Sequence, residues 1–227
     1  MNIDPDQARH RRSEELARRA LALDPNFVDG KLALGRVSAN AYDYRRASEL
    51  FREATRLEPN NFYAWDLLSW TLAYEQPPDG PGAEKAGKEA VRLQPTSFGA
   101  YYHLGRAFLV QKKYDEAIEA FRQAKTLNPE FTSADGGLAQ VYRAQGRYAE
   151  ARDLLEAVIL RRSTVMTFQL SLSYAGLGQR DKALEILATA LKDGYRDFAA
   201  VDSAREFEPL RSDRRFQDLL AHYRPAK

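Results

Sequence analysis

Four short boundaries, LDPNF, LEPNNF, LQPTSF and LNPEF, cut the first part of the chain into near-equal lengths. Their prolines, Pro25, Pro59, Pro95 and Pro129, stand 34, 36 and 34 residues apart. A proline ends a helix and pushes the residue before it into extended backbone. Each interval is long enough for two short helices and their turns. One such unit cannot bury its own apolar face, so the units must stack on one another. The spacing therefore predicts an all-α array.

Small and apolar residues recur in step with the prolines. The second helix of each unit carries Ala47/Phe51/Ala54, Ala83/Gly87/Ala90, Ala117/Phe121/Ala124, Ala151/Leu155/Val158 and Ala183/Leu187/Ala190. The first helix carries Leu34-Gly35-x2-Ser38, Trp65-x2-Leu68-Ser69-x2-Leu72, Tyr101-x2-Leu104-Gly105-x2-Phe108, Leu138-Ala139-x2-Tyr142 and Leu170-Ser171-x2-Tyr174. This pattern resembles the tetratricopeptide repeat, a helix–turn–helix of 34 residues with the consensus W-x2-L-G-x2-Y…A-x3-F…P. The stretch Tyr101 to Pro129 carries the likeness most fully. The resemblance, of bacterial type, implies a right-handed solenoid of about five repeats, 27–60, 61–96, 97–130, 131–163 and 164–193. An N-terminal capping helix or half repeat (1–26) precedes them, and a C-terminal helical cap (194–227) follows. Glycine inside a helix costs up to about 1 kcal/mol. Gly105 and Ala117 are expected to recover that cost by letting two helices cross closely, with Leu104, Phe108 and Phe121 filling the space around the crossing.

The ends depart from the period. The N-terminal segment is rich in Arg9, Arg11, Arg12, Arg18 and Arg19, balanced by Glu14 and Glu15, and reads as a solvated helical face. At the other end, Phe198, Val201, Phe207, Leu210, Phe216, Leu219 and Leu220 are placed to cover the last hairpin. In the second repeat, AYEQPPDGPGAEKAG lengthens the turn by two residues, and Pro77, Pro78, Gly80, Pro81 and Gly82 are expected to rule out helix there.

Chemistry-bearing motifs are missing. There is no cysteine, and the three histidines, His10, His103 and His222, form no metal-binding pair at helical spacing. Gly82-x4-Gly87-Lys88 mimics a phosphate loop, but Glu89 stands where Ser or Thr would hold magnesium, and no strand precedes it. No catalytic, metal or cofactor-binding residue is expected, so the chain is read as a non-enzyme without cofactors. A net charge of +2 gives no general pull toward nucleic acid or an anionic membrane. No apolar run spans a bilayer, and the expected location is the cytoplasm.

In tetratricopeptide proteins the first helices line a concave groove. By register, the resemblance places Arg36, Tyr63, Asp66, Trp70, Tyr74, Tyr102, His103, Arg106, Gln140, Arg143 and Phe168 there. Aromatic side chains beside arginine are typical of binding hot spots, whereas Trp65 occupies a core position of the repeat. The expected partner is a protein or peptide, with Arg36, Arg106 and Arg143 favouring acidic groups. Some family members clamp a chaperone's C-terminal carboxylate with Lys, Asn, Asn, Lys and Arg. The corresponding Leu32, Arg36, Leu67, Gly99 and His103 make no such clamp. The function expected is a scaffold or adaptor, as a monomer or weak homo-oligomer. Two alternatives are the repeat region of a larger bacterial regulator, such as a serine/threonine kinase or transcription factor, and a self-associating structural protein.

Overall fold

A computed structural model describes residues 5–158 and 163–224; for residues 5–10 it describes the backbone alone. The expectations on Arg9 and His10 therefore lie outside the described side chains, and residues 1–4, 159–162 and 225–227 lie outside the described residues altogether. Among the described residues there is helix and turn but no strand. The chain divides into two compact units, Met1–Asn128 and Pro129–Lys227.

The first unit contains α1 (Pro5–Leu23), α2 (Val28–Asn40), α3 (Tyr44–Leu57), α4 (Phe62–Tyr74), α5 (Gly80–Leu93), α6 (Phe98–Val110) and α7 (Tyr114–Leu127). Each helix packs on the next, and α4 also packs on α6. Helices α1, α3, α5 and α7 all end on the leucine of the L-x-P boundary. The residues before the later prolines, Glu58, Gln94 and Asn128, have φ of −128°, −140° and −141°. That is the extended backbone a following proline demands. Asn61 and Ser97 then cap α4 and α6 by accepting the amide N–H of Ala64 and Ala100, each at 3.2 Å.

The turn inside four of the five repeats has one recurring form. Tyr42, Lys112, Gly146 and Gly178 share a register position, and all take positive φ, between 60° and 77°. The residue after each donates its N–H to a carbonyl five residues back: Asp43 to Ser38, Lys113 to Phe108, Arg147 to Tyr142 and Gln179 to Tyr174. This left-handed helix ending satisfies carbonyls that would otherwise have no partner. The second repeat reaches the equivalent carbonyl, Leu72, from Asp79, seven residues on. The two-residue insertion is thus absorbed without losing the hydrogen bond.

One expectation there is corrected. Gly80, Pro81 and Gly82 form the first turn of α5 rather than a loop. Proline is tolerated at a helix start because its missing N–H has no partner there in any case. The Asp79 carboxylate caps the turn by accepting from the Gly82 amide at 2.9 Å.

The repeat core follows the small-residue register. Ala47, Phe51, Ala54, Ala83, Ala90, Ala117, Phe121 and Ala124 are all completely buried. A Cβ at Gly105 would stand 2.7 Å from the Phe121 ring, and one at Gly35 would stand 2.5 Å from the Phe51 ring. In these two repeats the glycine of the first helix makes room for the phenylalanine of the second, and burying such a ring contributes about 1.5–3 kcal/mol.

The second unit contains α8 (Thr132–Ala144), α9 (Tyr148–Val158), α10 (Thr164–Gly176), α11 (Arg180–Lys192), α12 (Phe198–Ser203), a 3-10 turn (Arg205–Leu210) and α13 (Arg214–Tyr223). The 3-10 turn packs on α10 and α13 packs on α11. Val201, Phe207, Leu210, Phe216 and Leu220 enter one core with Leu170, Leu187 and Leu191, with Phe198 and Leu219 half-buried beside it. The tail after the last hairpin is therefore an integral part of this unit.

Candidate functional site

The expected groove residues of the first unit come from three first helices, α2, α4 and α6. Asp66 and Trp70 are one turn apart on α4, with Tyr74 one turn further on. Tyr102, His103 and Arg106 lie on α6. The structure brings all six into one connected cluster. His103 Nδ1 stands 2.8 Å from Asp66 Oδ1, with both side chains largely buried. The carboxylate holds the imidazole in place, and its ring stacks on Trp70 at 6.3 Å and 23°. Tyr44, which begins α3, meets Trp70 edge-on at 6.2 Å and Tyr74 at 5.6 Å. The Arg106 guanidinium lies 4.7 Å from the centre of the Tyr74 ring, a cation–π contact.

Tyr102 completes the cluster against His103 at 5.6 Å and the core ring of Phe121 at 5.7 Å. Burial, with Tyr74 nearby, pushes its hydroxyl up to about 12, so it is a neutral group at physiological pH. Burial also raises Tyr44. Trp65 differs from Trp70: its indole N–H donates to the Pro59 carbonyl at 2.8 Å. Tyr63 is 67% exposed, and Arg36 is exposed on α2. Neither joins the cluster. Tyr44 was missed in the sequence because it lies on a second helix; only its closeness to the turn could have signalled that it reaches the first-helix face.

The second unit treats the same face differently. Phe168, expected to line an open groove, is only 6% exposed. Its ring stacks on Tyr195 at 4.3 Å and 15°, and Phe207 meets it edge-on at 6.2 Å. Arg143 Nη1 lies 3.5 Å from Glu206 Oε1, with side-chain exposures of 14% and 9%. Burial lowers the Arg143 pKa, opposed by the charge of Glu206. Gln169 is buried as well, and Gln140 is half-buried on α8. Arg143 and Phe168 thus face the chain's own C-terminal segment, because Glu206 and Phe207 lie against them.

The phosphate-loop mimic is accounted for by packing and ion pairing. A Cβ on Gly87 would come within 2.9 Å of Ser69 Oγ, and Lys88 pairs with Glu84 at 2.6 Å. Glu84 also accepts from Lys113 at 2.7 Å and Gln111 at 2.9 Å. Lys113 first, then Lys88, holds its carboxyl down at about 2. Among the described residues no group of acidic and imidazole side chains is arranged to hold a metal ion. Among them, too, no helix is long and apolar enough to cross a membrane.

Two family models described as tetratricopeptide repeat match the chain, over residues 79–130 and 108–164. Among curated proteins, human Superkiller complex protein 3 is 26% identical over 185 residues, covering 82% of this chain and 11% of that protein. A tetratricopeptide repeat and J domain-containing co-chaperone, DNJ1 of Cryptococcus neoformans, is 30% identical over 89 residues, 39% of this chain and 17% of that protein. The chain therefore spans only a small part of the curated relatives it matches. Among solved structures, TTC0263, a thermophilic tetratricopeptide protein of Thermus thermophilus, superposes with a TM-score of 0.69 at 21% identity. The match covers 77% of this chain and 95% of that one.

Proposed function

We propose, taking as premise that this chain is a tetratricopeptide-repeat protein, that it is a non-catalytic protein-interaction scaffold whose binding surface lies on α2, α4 and α6. The observation that carries the reading is the cluster Tyr44–Trp70–His103–Asp66 with Arg106 over Tyr74. Rings fixed by their neighbours give up little conformational freedom on binding. Tyr63 and Arg36 flank the cluster as exposed contact residues, in keeping with a peptide or helix laid across successive first helices. The names of the relatives, one a complex subunit and one a co-chaperone, accord with this reading.

The test is affinity capture from the source organism's lysate, using the full chain and a Trp70→Ala/Arg106→Ala variant of matched helicity. Loss of a captured partner in the variant is the expected result. Equal capture by both proteins would move the site away from α4 and α6.

A further inference from the structure

We infer that the aromatic row Tyr42–Tyr44–Trp70 binds a proline-rich segment in the polyproline II conformation. This rests on the interaction reading above and names the class of segment that the same surface takes. It also adds Tyr42, in the turn between α2 and α3, to that surface.

Tyr42 stands in a costly backbone. Its φ of 62° lies in the left-handed region, where the fourth and fifth repeats place Gly146 and Gly178. Glycine adopts that backbone freely, whereas a side chain meets steric cost there. Lys112 takes it too, in the third repeat, so the turn tolerates a side chain. The Tyr42 ring is 81% exposed, and burial does not offset its cost. The ring meets Tyr44 edge-on at 6.3 Å and 83°, and Tyr44 meets Trp70 at 6.2 Å. The row thus runs from the exposed turn to the cluster on α4. Each step matches two residues of a polyproline II helix, which rise by about 6 Å.

The polar atoms separate one ligand conformation from another. Among the described residues the Trp70 indole N–H and the Tyr44 hydroxyl have no hydrogen-bond partner, and neither is shut off from solvent. The carboxylates beside the rings are engaged within the chain. Asp43 accepts from the Arg46 amide, Glu75 accepts from the Ser48 hydroxyl, and Asp66 is paired with His103. The surface is therefore rich in donors and poor in free acceptors. Proline has no N–H to donate, and a polyproline II backbone leaves its carbonyls without internal partners. Those carbonyls can accept from Trp70 and Tyr44 while the pyrrolidine rings lie on the tyrosines, as proline-rich segments do on aromatic surfaces. A helical ligand has its carbonyls engaged internally and gains nothing from these donors.

The test measures the anisotropy of labelled decaproline added to the full-length protein, with a labelled helical peptide of EAAAK repeats as control. Decaproline binds saturably and the helical peptide does not. Tyr42→Gly weakens decaproline binding about tenfold, the size of one aromatic contact at a hot spot. Its thermal midpoint equals or exceeds the parent's, because the turn loses its strained side chain. Trp70→Phe keeps a ring, removes the donor and weakens binding about fivefold.

Absence of decaproline binding, equal or tighter binding of the helical peptide, or full affinity in both variants overturns the inference. A lowered midpoint in Tyr42→Gly would show that the ring is kept for stability and would remove Tyr42 from the contact. Where the inference falls, a lysate partner still lost with Trp70→Ala/Arg106→Ala leaves the interaction surface standing. A partner retained by that variant overturns the interaction reading as well.

Discussion

Tyr102 and Phe168 stand at the same place in two repeats, two residues before the leucine that anchors the first helix, yet their surroundings differ. Tyr102 belongs to a half-buried aromatic cluster on α4 and α6. Phe168 lies under Tyr195 and Phe207. Arginine divides in the same way: Arg106 rests on a ring, whereas Arg143 is buried against Glu206. The repeat register settles which residues reach the first-helix face. In the second unit a segment tens of residues further along the chain lies against that face.

The comparison breaks most readily at Phe207, a completely buried ring. Phe207→Ala is expected to cost about 3–5 kcal/mol, as for other large buried rings. Hydrogen exchange should show protection lost in α10 and α11 and largely kept in α4 and α6. Uniform loss along the chain would show that the two units do not differ in this way.

The paired arginines sharpen it next. Arg143→Met leaves Glu206 buried without its cation and should cost about 3 kcal/mol. Arg106→Met removes a cation–π contact and should cost about 0.5–1 kcal/mol. Urea denaturation compares the two, and equal losses would erase the distinction between an arginine buried against a carboxylate and one resting on a ring.

Gly105→Leu acts on the core beneath the first unit's surface. A side chain there must displace the Phe121 ring, 2.7 Å from its Cβ, at an expected cost of about 1–3 kcal/mol. A thermal midpoint equal to that of the parent would count against the glycine–phenylalanine packing.

The smallest effect is electrostatic. Glu84 is held at about 2 by Lys113 and Lys88, so its folded-state pKa lies below the unfolded one. Its contribution is full above the ordinary carboxylate range and disappears as pH falls toward 2. Both lysines are well exposed, which limits the effect to about 0.3 kcal/mol. Glu84→Gln should be less stable than the parent near pH 7 and converge with it in acid; a gap independent of pH would point to lost packing instead.

The repeat was legible because it rests on local rules: proline at a boundary, and small residues at crossings. Pro59, Pro95, Gly105 and Phe121 do in space what their spacing implies. The start of α5 was not legible, since Pro-Asp-Gly-Pro-Gly reads as a loop unless Asp79 is seen to cap Gly82. The partnership of Asp66 with His103, 37 residues apart, and the arrival of Tyr44 beside Trp70 depend on how neighbouring repeats pack. So does the cover over Phe168. The apolar pattern Val201, Phe207, Leu210, Phe216 showed that the tail must bury itself, but not which helix face it would take.

The chain has two tryptophans, Trp65 and Trp70, both on α4, and their indole N–H signals in a nitrogen-15 correlation spectrum can be followed separately. Titrating the full-length protein with a purified partner from the affinity capture should shift the Trp70 signal strongly and leave Trp65, bonded to the Pro59 carbonyl, nearly still. Saturation with both indoles stationary, while amides of α8 and α10 move, would contradict the proposed placement of the interaction surface on α4 and α6.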